Sequence, residues 1–173
     1  ADHYASQAQP RATLAAMITR LDRDVGRVLD LLKELGLDEN TIVFFTSDNG
    51  GYLLDEENYF RANGPLLGSK GNFYEGGIRV PLIVRWPGKV KPGTRAKAMV
   101  QNIDYASTIL AAAGMKPEWQ VHGISFLPIL LNGGATPNGW RDTIYYRYID
   151  GGHGVAKHSA IRHVGHPVDL GAY

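Results

Sequence analysis

With 173 residues, 44% of them hydrophobic and 20% charged, the chain has the length to bury a core and the make-up of an ordinary globular domain. A net charge of +1 without any Lys/Arg block recommends neither nucleic acid nor an anionic membrane surface as partner, and the longest apolar runs are far too short to span a bilayer. Zero cysteines exclude disulfides, zinc–thiolate centres and cysteine nucleophiles from these residues.

Across residues 10–35, Leu14, Met17, Ile18, Leu21, Val25, Val28, Leu29, Leu32 and Leu35 recur at spacings of three and four, which predicts one face of a long amphipathic helix. Pro10 suits its first turn and Gly36 the left-handed residue past its end. Arg20, Asp22, Arg23, Asp24, Arg27 and Asp30 fill most of the other face. Asp22 and Asp24 stand two apart on that helix, so they do not face each other as a carboxylate pair.

After the turn Asp38-Glu39-Asn40, residues 41–47 lack period-2 alternation; Ile42, Val43, Phe44 and Phe45 are apolar on both faces, as in a central strand of a parallel sheet. Residues 50–78 are rich in Gly and Asn and read as a long functional loop. A second strand is expected over 80–86, with Pro81 near its start. Asp104 stands where a cap belongs, before a helix over 105–113 that Gly114 closes. A short helix over 125–131 and strands over 143–148 and 159–164 complete the inventory. It does not close on itself. A strand buried on both faces needs neighbours and covering helices, and too few are available, so the segment reads as half of a larger sheet.

Asp48-Asn49-Gly50-Gly51 ends the first strand, and the side chains of Asp48 and Asn49 offer the oxygen that hard cations such as Ca²⁺ take. The same four residues are also good turn formers. Alone the motif favours the turn; at the end of a central strand, where α/β enzymes bind ligands, the metal reading competes with it. Lys70, in Gly68-Ser69-Lys70-Gly71, could neutralise an oxygen of a bound sulfate or phosphate, or could be a solvated loop lysine. Glu75-Gly76-Gly77 is expected to shape the loop, with Arg79 the partner of such a carboxylate. His153, His158 and His163, five apart, fit neither one face of a helix nor one face of a strand, and no zinc site is expected from them. His153, in a Gly-rich turn, is the best candidate among them for a substrate contact, beside the plainer reading of a surface histidine. Tyr145-Tyr146-Arg147-Tyr148 alternates like a strand and reads as packing.

The segments MITRLDRDVGRVLDLLKELGLDENTIVFFTSDNG, GSKGNFYEGGIRVPLIVRWPG and, more weakly, VHGISFLPILL resemble the later part of sulfatases of the alkaline-phosphatase-like superfamily. The middle segment, with lysine, glutamate, two glycines, arginine and proline in order, is the most specific. The resemblance implies an α/β fold: part of a mixed, mostly parallel sheet flanked by helices, running into the start of a smaller C-terminal α+β subdomain. Residues 1–140 would form the C-terminal part of the catalytic domain and 141–173 the beginning of that subdomain.

Sulfatases of this kind hydrolyse sulfate esters with a formylglycine nucleophile and a bound Ca²⁺. The resemblance makes Asp48 and Asn49 two of the metal ligands and Lys70 a contact to the sulfate. The family's Asp-Asp metal motif and its Cys/Ser-x-Pro-x-Arg nucleophile motif have no match here. His3 lies upstream of the long helix, but its surroundings do not match, and no role passes to it. The expected partner within the molecule is the missing N-terminal half of the same domain, and the expected substrate is a sulfate ester. The stretch IYYRYIDGGHGVAKHSAIRHV leans towards a sulfated sugar. The family is commonly exported, which points to a periplasmic, secreted or lysosomal location. Three other readings stand beside this one: a phosphoester or phosphonate ester hydrolase of the same superfamily, a non-catalytic remnant that binds sulfated carbohydrate, and a truncated product that does not fold alone.

Overall fold

The computed structural model describes residues 9–52, 62–149, 157–164 and 166–168, and the chain divides into two compact units, 1–87 and 88–173.

In the first unit the amphipathic helix is α1, Gln9–Glu34, with Pro10 in its first turn. It ends at glycine as expected. Gly36 has φ 69°, its N–H donates to the Lys33 carbonyl at 3.0 Å, and the Leu37 N–H donates to the Leu32 carbonyl at 2.9 Å. Those two bonds satisfy carbonyls that a helix end leaves without partners. On the charged face Asp24 lies 3.9, 3.1 and 3.4 Å from Arg20, Arg23 and Arg27. The hydrogen bond from Arg23, with that from Arg27, holds the Asp24 carboxyl below its ordinary pKa. The apolar face stays open among the described residues: Met17, Ile18, Leu21, Val28 and Leu35 are 54% to 63% exposed. That is the uncovered stripe expected of an inventory too small to close on itself.

A 3₁₀ turn, Asp38–Asn40, leads into β1, Val43–Thr46, which pairs with β2, Leu82–Arg85, in the register Val43↔Arg85 to Thr46↔Leu82. The apolar run suggested parallel neighbours, whereas this pairing is antiparallel, as a mixed sheet allows. Phe45 and Ile83 oppose each other in the register and are both exposed, so this ribbon too has an open face. Arg85 donates to both carboxylate oxygens of Asp38, at 2.7 and 2.9 Å, pinning the end of β2 to the turn before β1. That contact lowers the pKa of Asp38 and raises that of Arg85. Between the strands, the described residues of the expected loop include a short helix, α2, Glu75–Ile78.

The second unit carries α3, Asp104–Ala112, and α4, Leu127–Leu131, followed by an antiparallel sheet of β3, Thr143–Tyr148, β4, His158–His163, and β5, His166–Val168. Gly114 (φ 70°) ends α3 with the same pair of bonds that ends α1. Among the described residues Phe126 and Ile129 are the most buried apolar ones, and Tyr105 meets the Phe126 ring edge-on at 5.8 Å. Asp104, expected as a cap, is instead the first helical residue, and its fully buried carboxylate makes no cap bond to α3. It accepts from the Gln101 N–H at 2.8 Å, the Ile124 N–H at 2.9 Å and two Arg141 nitrogens. Thr108 continues this buried polar network, accepting from the Phe126 N–H at 3.0 Å. On the sheet, Tyr146 and Tyr148 stack with His158 at 5.6 and 5.5 Å, the packing role expected for the tyrosine cluster.

Candidate functional site

The first unit's polar loops converge where β1 ends. There the chain turns through Ser47-Asp48-Asn49, with the Ser47 hydroxyl donating to the Asn49 carbonyl at 2.9 Å and to the Asp48 carboxylate at 3.4 Å. Asn49 donates from its amide nitrogen to the Gly50 carbonyl at 2.9 Å, which turns its side-chain oxygen into the atom available to accept. Asp48 is exposed and Asn49 half-buried.

Backbone contacts then fasten three segments together. Gly50 N–H donates to the Gly77 carbonyl at 2.9 Å, Lys70 N–H to the Gly51 carbonyl at 3.0 Å, and Gly76 N–H to the Leu67 carbonyl at 2.7 Å. Contacts so close between main chains need bare Cα atoms. A Cβ on Gly50 would collide with the Gly76 carbonyl oxygen, and one on Gly76 with the carbonyl oxygens of Gly68 and Leu67. The expectation that glycines shape this loop holds for that physical reason. α2 exists because of the same fit; two glycines in four residues would not form a helix on propensity alone.

Lys70 therefore sits on a loop anchored by its own N–H to the turn that carries Asp48 and Asn49. Its side chain is exposed, and among the described residues no hydrogen bond or ion pair engages its ammonium group. Glu75 pairs with Arg79 at 3.3 Å, one helical turn on, as anticipated for a shaping carboxylate and its partner. His153 and His3 lie outside the described residues. His163 contacts the Thr143 hydroxyl through Nδ1 at 2.8 Å.

The donor set suits a hard cation. Asp48 contributes carboxylate oxygen and Asn49 amide oxygen at adjacent positions, and Ca²⁺ takes about six to eight such oxygens. Among the described residues no three or more His, Cys, Asp or Glu side chains gather into a metal-holding group, so these two would form part of a shell. The Lys70 backbone is tied at 3.0 Å to Gly51, two residues beyond Asn49, and an exposed ammonium is a group that can pair with a tetrahedral oxyanion.

One residue of this region escaped the sequence reading. Asn63 accepts from the Gly51 N–H at 2.7 Å and donates to the carbonyls of Gly51 and Gly68 at 3.1 and 2.9 Å. The only signal for it was the Gly/Asn-rich composition of the loop, which singles out no position.

Comparison with known proteins points in one direction. Residues 1–115 match the family model described as Sulfatase, and residues 68–166 match the model described as N-sulphoglucosamine sulphohydrolase, C-terminal. An N-acetylglucosamine-6-O-sulfatase of Bacteroides thetaiotaomicron is 37% identical over 150 residues, covering 87% of this chain and 25% of that protein. The N-acetylgalactosamine-6-sulfatase of Canis lupus familiaris is 39% identical over 132 residues, covering 75% of this chain and 25% of its own. Among solved structures, one in complex with its substrate D-glucosamine-2-N,6-O-disulfate aligns with a TM-score of 0.72 at 34% identity, covering 84% of this chain and 28% of the other. A phosphonate monoester hydrolase from Silicibacter pomeroyi aligns with a TM-score of 0.61 at 32% identity, covering 75% of this chain and 23% of that one. The chain thus spans about a quarter of the length of the curated relatives it matches.

Proposed function

The chain belongs to the sulfatase family, and its fold is part of the alkaline-phosphatase-like fold of its structural neighbours; from this premise we propose that it contributes half of the active site of a sulfuric ester hydrolase. In this reading Asp48 and Asn49 are two of the ligands of a Ca²⁺ ion, and Lys70 binds and orients the sulfate group. The formylglycine nucleophile comes from the upstream part of the same domain, because no cysteine and no Ser-x-Pro-x-Arg sequence is present in these residues. The isolated chain is then inactive.

The observation that carries the reading is the bond from the Lys70 N–H to the Gly51 carbonyl, which holds the lysine loop against the turn bearing both oxygen donors. When bound, calcium supplies Lewis-acid polarisation of the sulfate. Lys70 offers a charge-assisted hydrogen bond to a sulfate oxygen, and its anchored backbone limits the directions from which the ammonium can approach. The substrate class we infer is a sulfated sugar, and within it a sulfated amino sugar. The names of the two relatives and the disulfated glucosamine bound to the structural neighbour support that choice. His153 is retained as a proposed contact to that sugar, with residues 141–173 as the beginning of the C-terminal subdomain and 1–140 as the end of the catalytic domain.

A second reading is kept because of one specific neighbour, the phosphonate monoester hydrolase, since a clamp for sulfate also accommodates a phosphorus oxyanion. The test assays an aryl sulfate and an aryl phosphate diester with calcium, using this chain beside the chain extended upstream. Sulfate turnover by the extended protein alone supports the half-site. Preference for the phosphate diester selects the second reading, and binding of a sulfated sugar without turnover selects a non-catalytic remnant. Turnover by the isolated chain overturns the proposal, because it would place a nucleophile among these residues.

A further inference from the structure

We propose that Asn63 is a positioning residue that locks the Lys70 loop to the Asp48–Asn49 turn; the inference rests on the half-site reading above and adds a residue to it. Three hydrogen bonds leave this one carboxamide. Its oxygen accepts from the Gly51 N–H at 2.7 Å, and its nitrogen donates to the Gly51 carbonyl at 3.1 Å and to the Gly68 carbonyl at 2.9 Å. The side chain therefore reads the donor and the acceptor of one peptide residue next to the turn, as a strand neighbour would, and spends its remaining donor on the loop two residues before Lys70.

Both ends of the clamp are shaped for it. A Cβ on Gly51 would lie 3.0 Å from the Asn63 oxygen and 2.8 Å from the Ala62 Cβ, so a bare Cα is needed for Asn63 to approach. At the far end Gly68 has φ 83°, a left-handed backbone that aims its carbonyl where a side chain would otherwise cost strain. The Gly51 carbonyl accepts from Asn63 and from the Lys70 N–H together, so the asparagine and the lysine loop share one acceptor. A second asparagine closes the loop on itself: Asn72 accepts from the Ser69 N–H at 3.3 Å and returns its own N–H to the Ser69 carbonyl at 3.2 Å.

Aspartate cannot replace Asn63. It keeps an acceptor for the Gly51 N–H but has no donor for either carbonyl. Asn63→Asp should therefore release the Lys70 loop while sparing the Gly51 amide, whereas Asn63→Ala releases both. A residue that merely stabilised the fold would not separate the two variants in this way.

The experiment combines native-state amide hydrogen exchange with turnover of an aryl sulfate by the upstream-extended enzyme. In Asn63→Ala the Gly51 and Lys70 amides should exchange faster, while amides of the β1–β2 ladder keep their protection. In Asn63→Asp only the Lys70 amide should do so. Both variants should lower kcat by roughly a hundredfold, the scale on which a displacement of about 1 Å acts. Unchanged exchange at Gly51 and Lys70 in Asn63→Ala overturns the clamp. Faster exchange with unchanged kcat, in an enzyme that Lys70→Ala impairs, overturns the positioning role. If Lys70→Ala and Asp48→Ala leave turnover intact, the half-site reading has failed instead, and the exchange data still decide whether the clamp exists.

Discussion

Arg141 grips Asp104 through two parallel hydrogen bonds, 2.7 and 2.8 Å long, on a carboxylate that has no solvent exposure. Two backbone N–H groups complete its acceptance, one from before α3 and one from the chain leading into α4. A single carboxylate thus joins four points of the second unit. Breaking a buried pair from one side strands a charge in a dry site, and the cost is about 3–5 kcal/mol. Arg141→Ala should lower the unfolding free energy of this unit by that amount in urea denaturation. Replacing both partners, Asp104→Asn with Arg141→Met, should recover part of the loss because no charge is then buried unpaired. A loss below about 1 kcal/mol in the single variant would mean that solvent reaches the carboxylate, since that is the scale of exposed pairs.

Asp38 and Arg85 make the corresponding contact in the first unit, at a half-exposed site, and there the effect is read in pH. The Arg85 hydrogen bonds lower the folded-state pKa of Asp38 below its unfolded value of about 3.9. The stabilisation is therefore complete above about pH 4 and is lost as pH falls through the folded value. The raised pKa of Arg85 acts only at strongly alkaline pH, where its contribution would be lost on deprotonation. Melting temperatures from pH 7 down to pH 2.5 should fall less steeply for Asp38→Asn than for the parent. Asp24, lowered by Arg23 and Arg27, contributes in the same acid window in both proteins, so the difference isolates Asp38. Equal slopes would show the bridge to be absent in solution.

What the sequence revealed and what it concealed divide along a physical line. α1 was legible from end to end because its signals are local: apolar spacing, Pro10 in the first turn, Gly36 past the last. Asp48, Asn49 and Lys70 stood out as candidates because their chemistry is carried by type and by place in a strand–loop order, and the loop contact that joins their two segments is a main-chain bond the sequence does not announce. α2 was not, since its glycines speak against a helix and the reason for it is a main-chain fit to residues 50 and 67–68. Asn63 was hidden for a related reason: asparagine suits any loop, and its three partners are set by tertiary geometry. Asp104 shows the converse, an expected cap that lies one residue inside the helix and serves a buried ion pair, because nothing local announces Arg141 thirty-seven residues away. The antiparallel pairing of β1 was equally out of reach of an apolar run that is compatible with either direction.

Two glycines should answer alanine in opposite ways. Gly26 lies inside α1 with nothing within 4 Å of the place an added methyl would take, so Gly26→Ala should stabilise the helix by about 0.5–1 kcal/mol. Gly50→Ala places its methyl on the Gly76 carbonyl oxygen, and main chain cannot swing aside as a side chain does. The turn bearing Asp48 and Asn49 would have to separate from α2, which should weaken calcium binding and raise exchange at the Gly50 amide. Calorimetric titration with calcium and hydrogen exchange check the two halves separately. A Gly50→Ala protein with unaltered calcium affinity would remove the turn from the proposed metal site.

Lys70→Ala gives the sharpest test of the division of labour at the site. The Lys70 backbone, through its N–H, belongs to the scaffold; in the proposed half-site its ammonium belongs to the reaction. Alanine keeps the N–H and removes only the charge, so the loop should stay in place. Preorganised donors aimed at a developing negative charge contribute roughly 10²–10³ in turnover, and a loss of that size is expected for aryl sulfate in the upstream-extended enzyme. Calcium affinity should be nearly unchanged, whereas Asp48→Ala should lower it, because only the second variant removes an oxygen donor. Lys70→Arg restores charge with a planar, longer head and should recover only part of kcat. If Lys70→Ala lost calcium affinity together with turnover, the lysine would be supporting the fold of the turn, and its assignment to the sulfate would fall.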